Sequence, residues 1–346
     1  MTHPRVCALL LMLALSPAAQ AAAPVTTSPW REVVVSVSNL ERTARFFRSI
    51  GGYSLRDSGT LSASEVAAWG LPPGARASYQ LLAPTGSTDG WIRLVDFDDA
   101  GEQAPMRPGA RAWDSGCYFS LMVRVKDIGA VYTDAIELGW WTETPIAPLQ
   151  FGESDLRIVI FKGPDGLQVQ SYERLSPPLP EAVGSFERMT RPFNVMQMVA
   201  DHGTAYRFFT DVLGFASYYT GPPVTAPSPV LSPIGIPTPL TTEVGYQAGI
   251  VYPTPGEYGR LEMIQVHGLR GEDYRERCRA PHLGILAVRF PAPDIDAIEA
   301  RLRDRQLPLE RFTEVAWPGG EWVDLLQTRS PDGGILQFFN IREQLR

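Results

Sequence analysis

The stretch "RFFRSIGGY" at residues 45–53 returns as "RFFTDVLGF" at residues 207–215, an offset of 162 positions. Each copy closes a longer pattern. In "EVVVSVSNLERTARFFRSIGGYSL" the run Val33 to Val37 reads as a strand, Asn39 is placed to cap a helix, and Leu40, Ala44, Phe47 and Ile50 recur at helical spacing until Gly51-Gly52 stops it. "FNVMQMVADHGTAYRFFTDVLGFASY" has the same design, with Asp201 as cap and Gly214 as stop, and Glu32 aligns with Asn194 without a gap.

A second pair of echoes lies between these. "LMVRVKDIGAVYTDAIELGWW" leads into "LRIVIFKGPDGLQVQSYE", and "LAVRFPAPDIDAIEARLRDRQL" leads into "WVDLLQTRSPDGGILQFFN"; Asp127 to Pro164 and Asp294 to Pro331 are both 37 residues. The chain therefore reads as four strand-helix-strand-strand units, two per half, with the later strands joined by turns such as Pro-Asp-Gly. Units of this size cannot close a core alone, so neighbours must share one.

The caps Asn39-Leu40 and Asp201, the "RFF…G-aromatic" helix ends and the "GPDGLQVQ" and "SPDGGILQ" hairpins resemble the vicinal oxygen chelate superfamily of glyoxalases, extradiol dioxygenases, epimerases and bleomycin-resistance proteins. "SASEVAAWGLPPGARASYQLL" resembles the short helix and third strand of its first unit. The likeness runs from about Trp30 to Glu343 and implies an α+β fold of tandem βαβββ modules pairing into two open barrels. The expected domains are 28–174 and 191–343, each built from two modules, with the Pro-rich 175–190 as linker.

The family resemblance implies metal donors near the start of each module's first strand and on its last. Carried onto this chain, these positions hold Glu32, Arg93, Ser120 and Gln170 in the N-terminal half and Asn194, Glu262 and Gln337 in the C-terminal half. One position stays open. Counting back from Asp294 gives Ala287 or Ile285, whereas matching "PHLGILAVRF" to the family's strand gives His282. Iron and zinc sites draw on His, Asp, Glu or Cys, and neutral Ser, Asn and Gln are poor substitutes. No cofactor is expected, and a divalent metal is disfavoured. His202, after a helix cap, and His267, beyond a strand, read as surface residues.

Alternation in "GRLEMIQV" sets Glu262 and Ile264 on the face opposite Leu261 and Met263, so a carboxylate projects among apolar groups. Burial of that kind raises its pKa and makes a usable general base. Glu262 and His282 are the catalytic candidates. Glu32, opposite Arg93, Ser120, Gln170, Asn194 and Gln337 are expected to line the cavities, with Arg93 forming an ion pair or clamping an anion.

Composition narrows the partners. With 346 residues, 44% hydrophobic and 20% charged, the chain is an ordinary globular length for two domains. A net charge of −7 with scattered arginines excludes a basic nucleic-acid face. Residues 1–21, with Arg5, an apolar run from Val6 to Leu15 and Ala19-Gln20-Ala21, read as a secretory signal peptide, which implies a periplasmic or secreted product not held in the membrane. Beyond it, Cys117 and Cys278 either pair or sit apart as buried apolar residues. Seven prolines between residues 222 and 239 make an extended loop along the surface or a lid over the second cavity.

Two functions follow from these residues. One is an enzyme of the lyase, isomerase or oxygenase kind acting on a small aromatic or oxygenated compound. The other is a metal-free protein that sequesters a small apolar molecule.

Overall fold

The computed structural model describes residues 22–342, Ala110 excepted; the expected signal peptide lies outside the described residues. The first module holds β1 (Glu32–Ser36), α1 (Leu40–Arg45), β2 (Ser54–Thr60), α2 (Ala63–Ala67), β3 (Arg76–Ala83) and β4 (Trp91–Asp98). The second holds β5 (Tyr118–Arg124), α3 (Ile128–Glu137), β6 (Trp141–Thr142), β7 (Ala147–Phe151), β8 (Ser154–Lys162) and β9 (Gln168–Ser176). The third comprises β10 (Asn194–Met198), α4 (His202–Arg207), β11 (Ala216–Thr220), β12 (Gly245–Tyr252) and β13 (Arg260–His267). The fourth comprises β14 (Gly284–Pro291), α5 (Ile295–Asp304), β15 (Leu309–Ala316), β16 (Trp322–Arg329) and β17 (Ile335–Ile341).

The caps form as their residue types dictate. Asn39, Asp127, Asp201 and Asp294 each accept a hydrogen bond from the backbone N–H three residues on, a device that contributes about 1 kcal/mol per helix. In the two repeats that carry Arg-Phe-Phe, the helix runs on as a π-helical turn, Phe46–Ile50 and Phe208–Val212. That turn drives both phenylalanines of each pair inward, where all four are buried.

The modules do not pair as the halves of the sequence suggest. One sheet runs β15-β16-β17-β14-β1-β4-β3-β2 and so joins the fourth module to the first; the other contains β11-β12-β13-β10-β5-β9-β8-β6 and joins the third to the second. The domain expectation is corrected accordingly: 28–174 and 191–343 each give one module to each sheet. The cause lies in the central antiparallel pairs, where β1 finds its partner in β14 and β10 in β5. Both pairs carry a register shift at the same place in the repeat, after Val34 and after Met196.

The main core lies between the sheets, where outer-face residues such as Val33, Val35, Val195 and Val288 pack with Phe46, Phe209 and Ile298 of the helices. Phe46 stacks on Trp140 at 4.0 Å between centroids, across the first and second modules. The inner face of each sheet is thereby left to be filled separately. Cys117 and Cys278 are disulfide-bonded, tying the chain just before β5 to the segment that leads into β14.

Candidate functional site

The four positions at the centre of the first sheet's inner face are Glu32, Arg93, Arg289 and Gln337. Glu32 lies opposite Arg289 across β1 and β14, and Arg289 opposite Gln337 across β14 and β17. Arg93 grips Glu32 with two parallel hydrogen bonds, 2.9 Å from Nε and 2.8 Å from Nη2. Arg289 Nη1 donates to the same carboxylate at 2.8 Å, its Nη2 to Glu65 at 2.9 Å, and its Nε to Gln337 at 2.6 Å. Glu65 arrives from α2, which crosses the mouth of this sheet; Ser62 Oγ donates to the Ala316 carbonyl there. The Arg289 guanidinium also lies 4.6 Å from the Trp317 ring centroid and 5.3 Å from that of Trp69.

Glu32, Glu65, Arg93 and Arg289 are all buried, and their formal charges cancel. Burial pushes the Glu32 carboxyl up, but the charges and hydrogen bonds of Arg93 and Arg289 win and hold it at about 2. This interior is stitched by an ion-pair network in which both Glu32 oxygens are paired, while Glu65 Oε2 and Arg93 Nη1 have no hydrogen-bond partner. Both oxygens of Glu32 are occupied by guanidinium groups and two neighbouring positions are permanent cations, so the set does not fit a divalent metal.

The corresponding positions of the second sheet are Asn194, Glu262, Met122 and Gln170. Asn194 lies opposite Met122, Met122 opposite Gln170, and Glu262 beside Met196 on the neighbouring strand. Here the acid has no arginine across from it. Glu262 Oε2 accepts from Asn194 Nδ2 at 2.7 Å. Burial raises its pKa to about 7, against the opposing pull of the Asn194 hydrogen bond and the Arg260 charge. Tyr172 donates to Gln170 Oε1 at 2.8 Å, and Gln170 Nε2 donates to Ser120 Oγ at 2.6 Å. Desolvation, reinforced by the Glu262 charge, raises the pKa of both Tyr172 and Tyr246, so their hydroxyls stay protonated. Apolar side chains complete the face, among them Met122, Met196, Met198, Phe119, Ile160 and Ile264. With one carboxylate among amides and thioethers, this set does not fit a divalent metal either. Among the described residues no group of three or more His, Cys, Asp or Glu side chains is arranged to hold an ion.

The expected residues are thus divided between two interiors. Glu32, Arg93 and Gln337 join in the first sheet; Ser120, Gln170, Asn194 and Glu262 join in the second. His282 does not join Glu262. It precedes β14 of the other sheet, beside Arg277 and Arg279, and burial followed by those two charges lowers its pKa. His202 is buried rather than at the surface, its ring stacked on Tyr206 at 5.6 Å. The open fourth position belongs to Arg289, two residues beyond Ala287. Ala287 is matched in the second sheet by Ser120, since these face Val34 and Met196 respectively.

The proline-rich segment reaches over the second sheet. It is tied by mutual backbone hydrogen bonds between Val224 and Tyr246, and Ile234 packs against the inner-face cluster while Ile236 is buried. Separately, a cleft of about 300 Å³ opens between residues 112–115 and 265–269, near the end of β13.

No family model and no curated protein sequence matches the chain. Solved structures do. Glyoxalase I from Zea mays is similar over 90% of this chain and 92% of its own, with a TM-score of 0.58 at 12% identity. A putative dioxygenase from Bacillus subtilis is similar over 91% of this chain and 86% of its own, with a TM-score of 0.56 at 10% identity. Together with the two curved sheets of paired βαβββ modules, this establishes the fold as that of the vicinal oxygen chelate superfamily.

Proposed function

We propose that the protein is an exported enzyme of the lyase or isomerase kind, working in the second sheet on a small aromatic or oxygenated compound with Glu262 as general base. The observation that carries this reading is a carboxyl group with a pKa of about 7 on an apolar inner face, at a site whose counterpart in the other sheet is locked in ion pairs. Such a group is partly ionised at neutral pH, where it both takes and returns a proton. Asn194 holds one of its oxygens, and Tyr172, whose hydroxyl donates to Gln170, and Tyr246 lie close enough to feel its charge. The disulfide supports the exported location, because such bonds persist in oxidising compartments.

The test is solvent-deuterium incorporation. Aryl ketones and hydroxyketones incubated with the protein in D2O are read by mass spectrometry, which detects proton abstraction from carbon whatever the product. At least one compound is expected to exchange, and Glu262→Gln is expected to lower the rate by at least about 100-fold. Full activity in that variant would remove Glu262 as the base. The second reading, sequestration without turnover, is favoured by the three methionines of the same face, since thioether side chains adapt to varied apolar guests. It predicts stoichiometric binding and no exchange.

A further inference from the structure

A tight crevice beneath the proline-rich strap adjoins the second sheet's inner face. Pro233 and Ile234 of the strap line this crevice with Phe119, Ile160 and Gln168, packed closely enough to leave no room for a water molecule. Gln168 is 1% exposed; its Nε2 donates to the Phe119 carbonyl at 3.1 Å, and its Oε1 has no partner. Asn194, also 1% exposed, has an unpartnered Oδ1 while its Nδ2 serves Glu262. Both orphan atoms are acceptors. Lys162, the cation at the rim, is engaged by Glu143 at 2.6 Å.

We infer that this interior takes an uncharged apolar molecule bearing a hydroxyl or amine donor, which replaces Ile234 in the crevice and pairs with Gln168 Oε1. The inference rests on the reading of this face as a small-molecule site and names the class of compound it accepts. A buried acceptor without a partner has given up its water and received nothing in return. A donor on the guest recovers that loss; a carboxylate adds a second acceptor and a charge to an interior whose nearest cation is already paired. The apolar walls supply the remaining attraction. The strap is suited to moving aside. Residues 222–225 and 228–230 are exposed, and its backbone is tied chiefly through Val224 to Tyr246 and through Ala226 and Val230 to Thr241. Its exposed outer part opens at low free-energy cost, and moving Ile234 also releases the buried Ser232 and Ile236 on either side of it.

The experiment is isothermal titration of the protein with three matched probes, 4-propylphenol, 4-propylanisole and 4-propylbenzoate. The phenol is expected to bind at least tenfold tighter than the methyl ether, in which a methyl group replaces the donor hydrogen, and the benzoate no tighter than the ether. Ile234→Ala is expected to tighten phenol binding about fivefold by vacating the crevice. Equal affinity for phenol and ether, or preference for the benzoate, would overturn the compound class. No change in Ile234→Ala would overturn its location. Titration of Glu262→Gln separates this inference from the catalytic one. A retained phenol preference in a protein that never exchanges deuterium leaves the guest class standing without the base; lost discrimination in an active enzyme does the reverse.

Discussion

The two inner faces are copies of one design with different side chains at three of four equivalent positions. The first has Glu32, Arg93, Arg289 and Gln337; the second has Asn194, Glu262, Met122 and Gln170. Glutamine stays the same, and the other three exchange charge. In the first sheet each acid faces arginine, so the interior is neutral and its carboxylate is held at about 2. In the second a single acid stands among methionines and amides and rises to about 7. The same backbone thus holds one glutamate as a structural ion and the other as a titratable group. What separates them is the presence of guanidinium groups across the sheet, since both carboxyls are desolvated.

The strongest way to break this comparison is Arg289→Met, which copies Met122 into the first sheet. It strips Glu65 of its ion pair and Glu32 of one of two, and is expected to cost about 3–5 kcal/mol of stability in urea unfolding. A loss below about 1 kcal/mol would show that the network is not what holds this interior together.

The second test uses pH. Glu262 has a folded value near 7 against 4.5 in the unfolded chain, so the folded state binds its proton more tightly. Its contribution is fully present below 4.5 and is lost as pH rises through 7. Glu262→Gln is expected to remove that slope and to leave the protein about 1–2 kcal/mol more stable than the parent at pH 8, the residual exposure of the carboxyl limiting the gain. Glu32 has the opposite sign. Its contribution is present above 4.5 and disappears as pH falls through 2, so Glu32→Gln is expected to flatten the acid limb of the stability profile.

The mildest test builds the missing partner. Met122→Arg places a guanidinium on the strand next to Asn194 and is expected to draw the Glu262 carboxyl down from about 7 toward the ordinary range, as followed by carbon NMR. A value unmoved in a folded variant would mean that burial alone sets the titration of Glu262.

The module repeat was legible because helix caps and apolar spacing are local: Asn39 and Asp201 cap as read from the sequence, and Asp127 and Asp294 cap the helices of the other two modules. Glu262 was legible for a similar reason: strand alternation fixes which face a residue takes. Sheet partners were not, because β1 could share a core with β5 or with β14 and nothing within either strand states the choice. Arg289 escaped notice with that pairing. Read as a strand residue it is an arginine between Val288 and Phe290, and only the register opposite Glu32 gives it a role. Glu65 gave no sign either, being an acid between Ser64 and Val66 in a five-residue helix whose exposed side is taken by Ala63 and Ala67.

Pairing the outermost modules with each other also orders the birth of the molecule. By the time His267 has been synthesised, every strand of the second sheet exists, whereas the first still lacks β14 to β17 and the two buried ion pairs made by Arg289. Glu32 and Glu65 must wait for Arg289, more than two hundred residues downstream of each, a long loop to close before that reward arrives. A protease cut just before β14 would therefore spare the titratable interior's strands and bare the neutralised one, so the half of the molecule with the quieter chemistry is also the last to be secured.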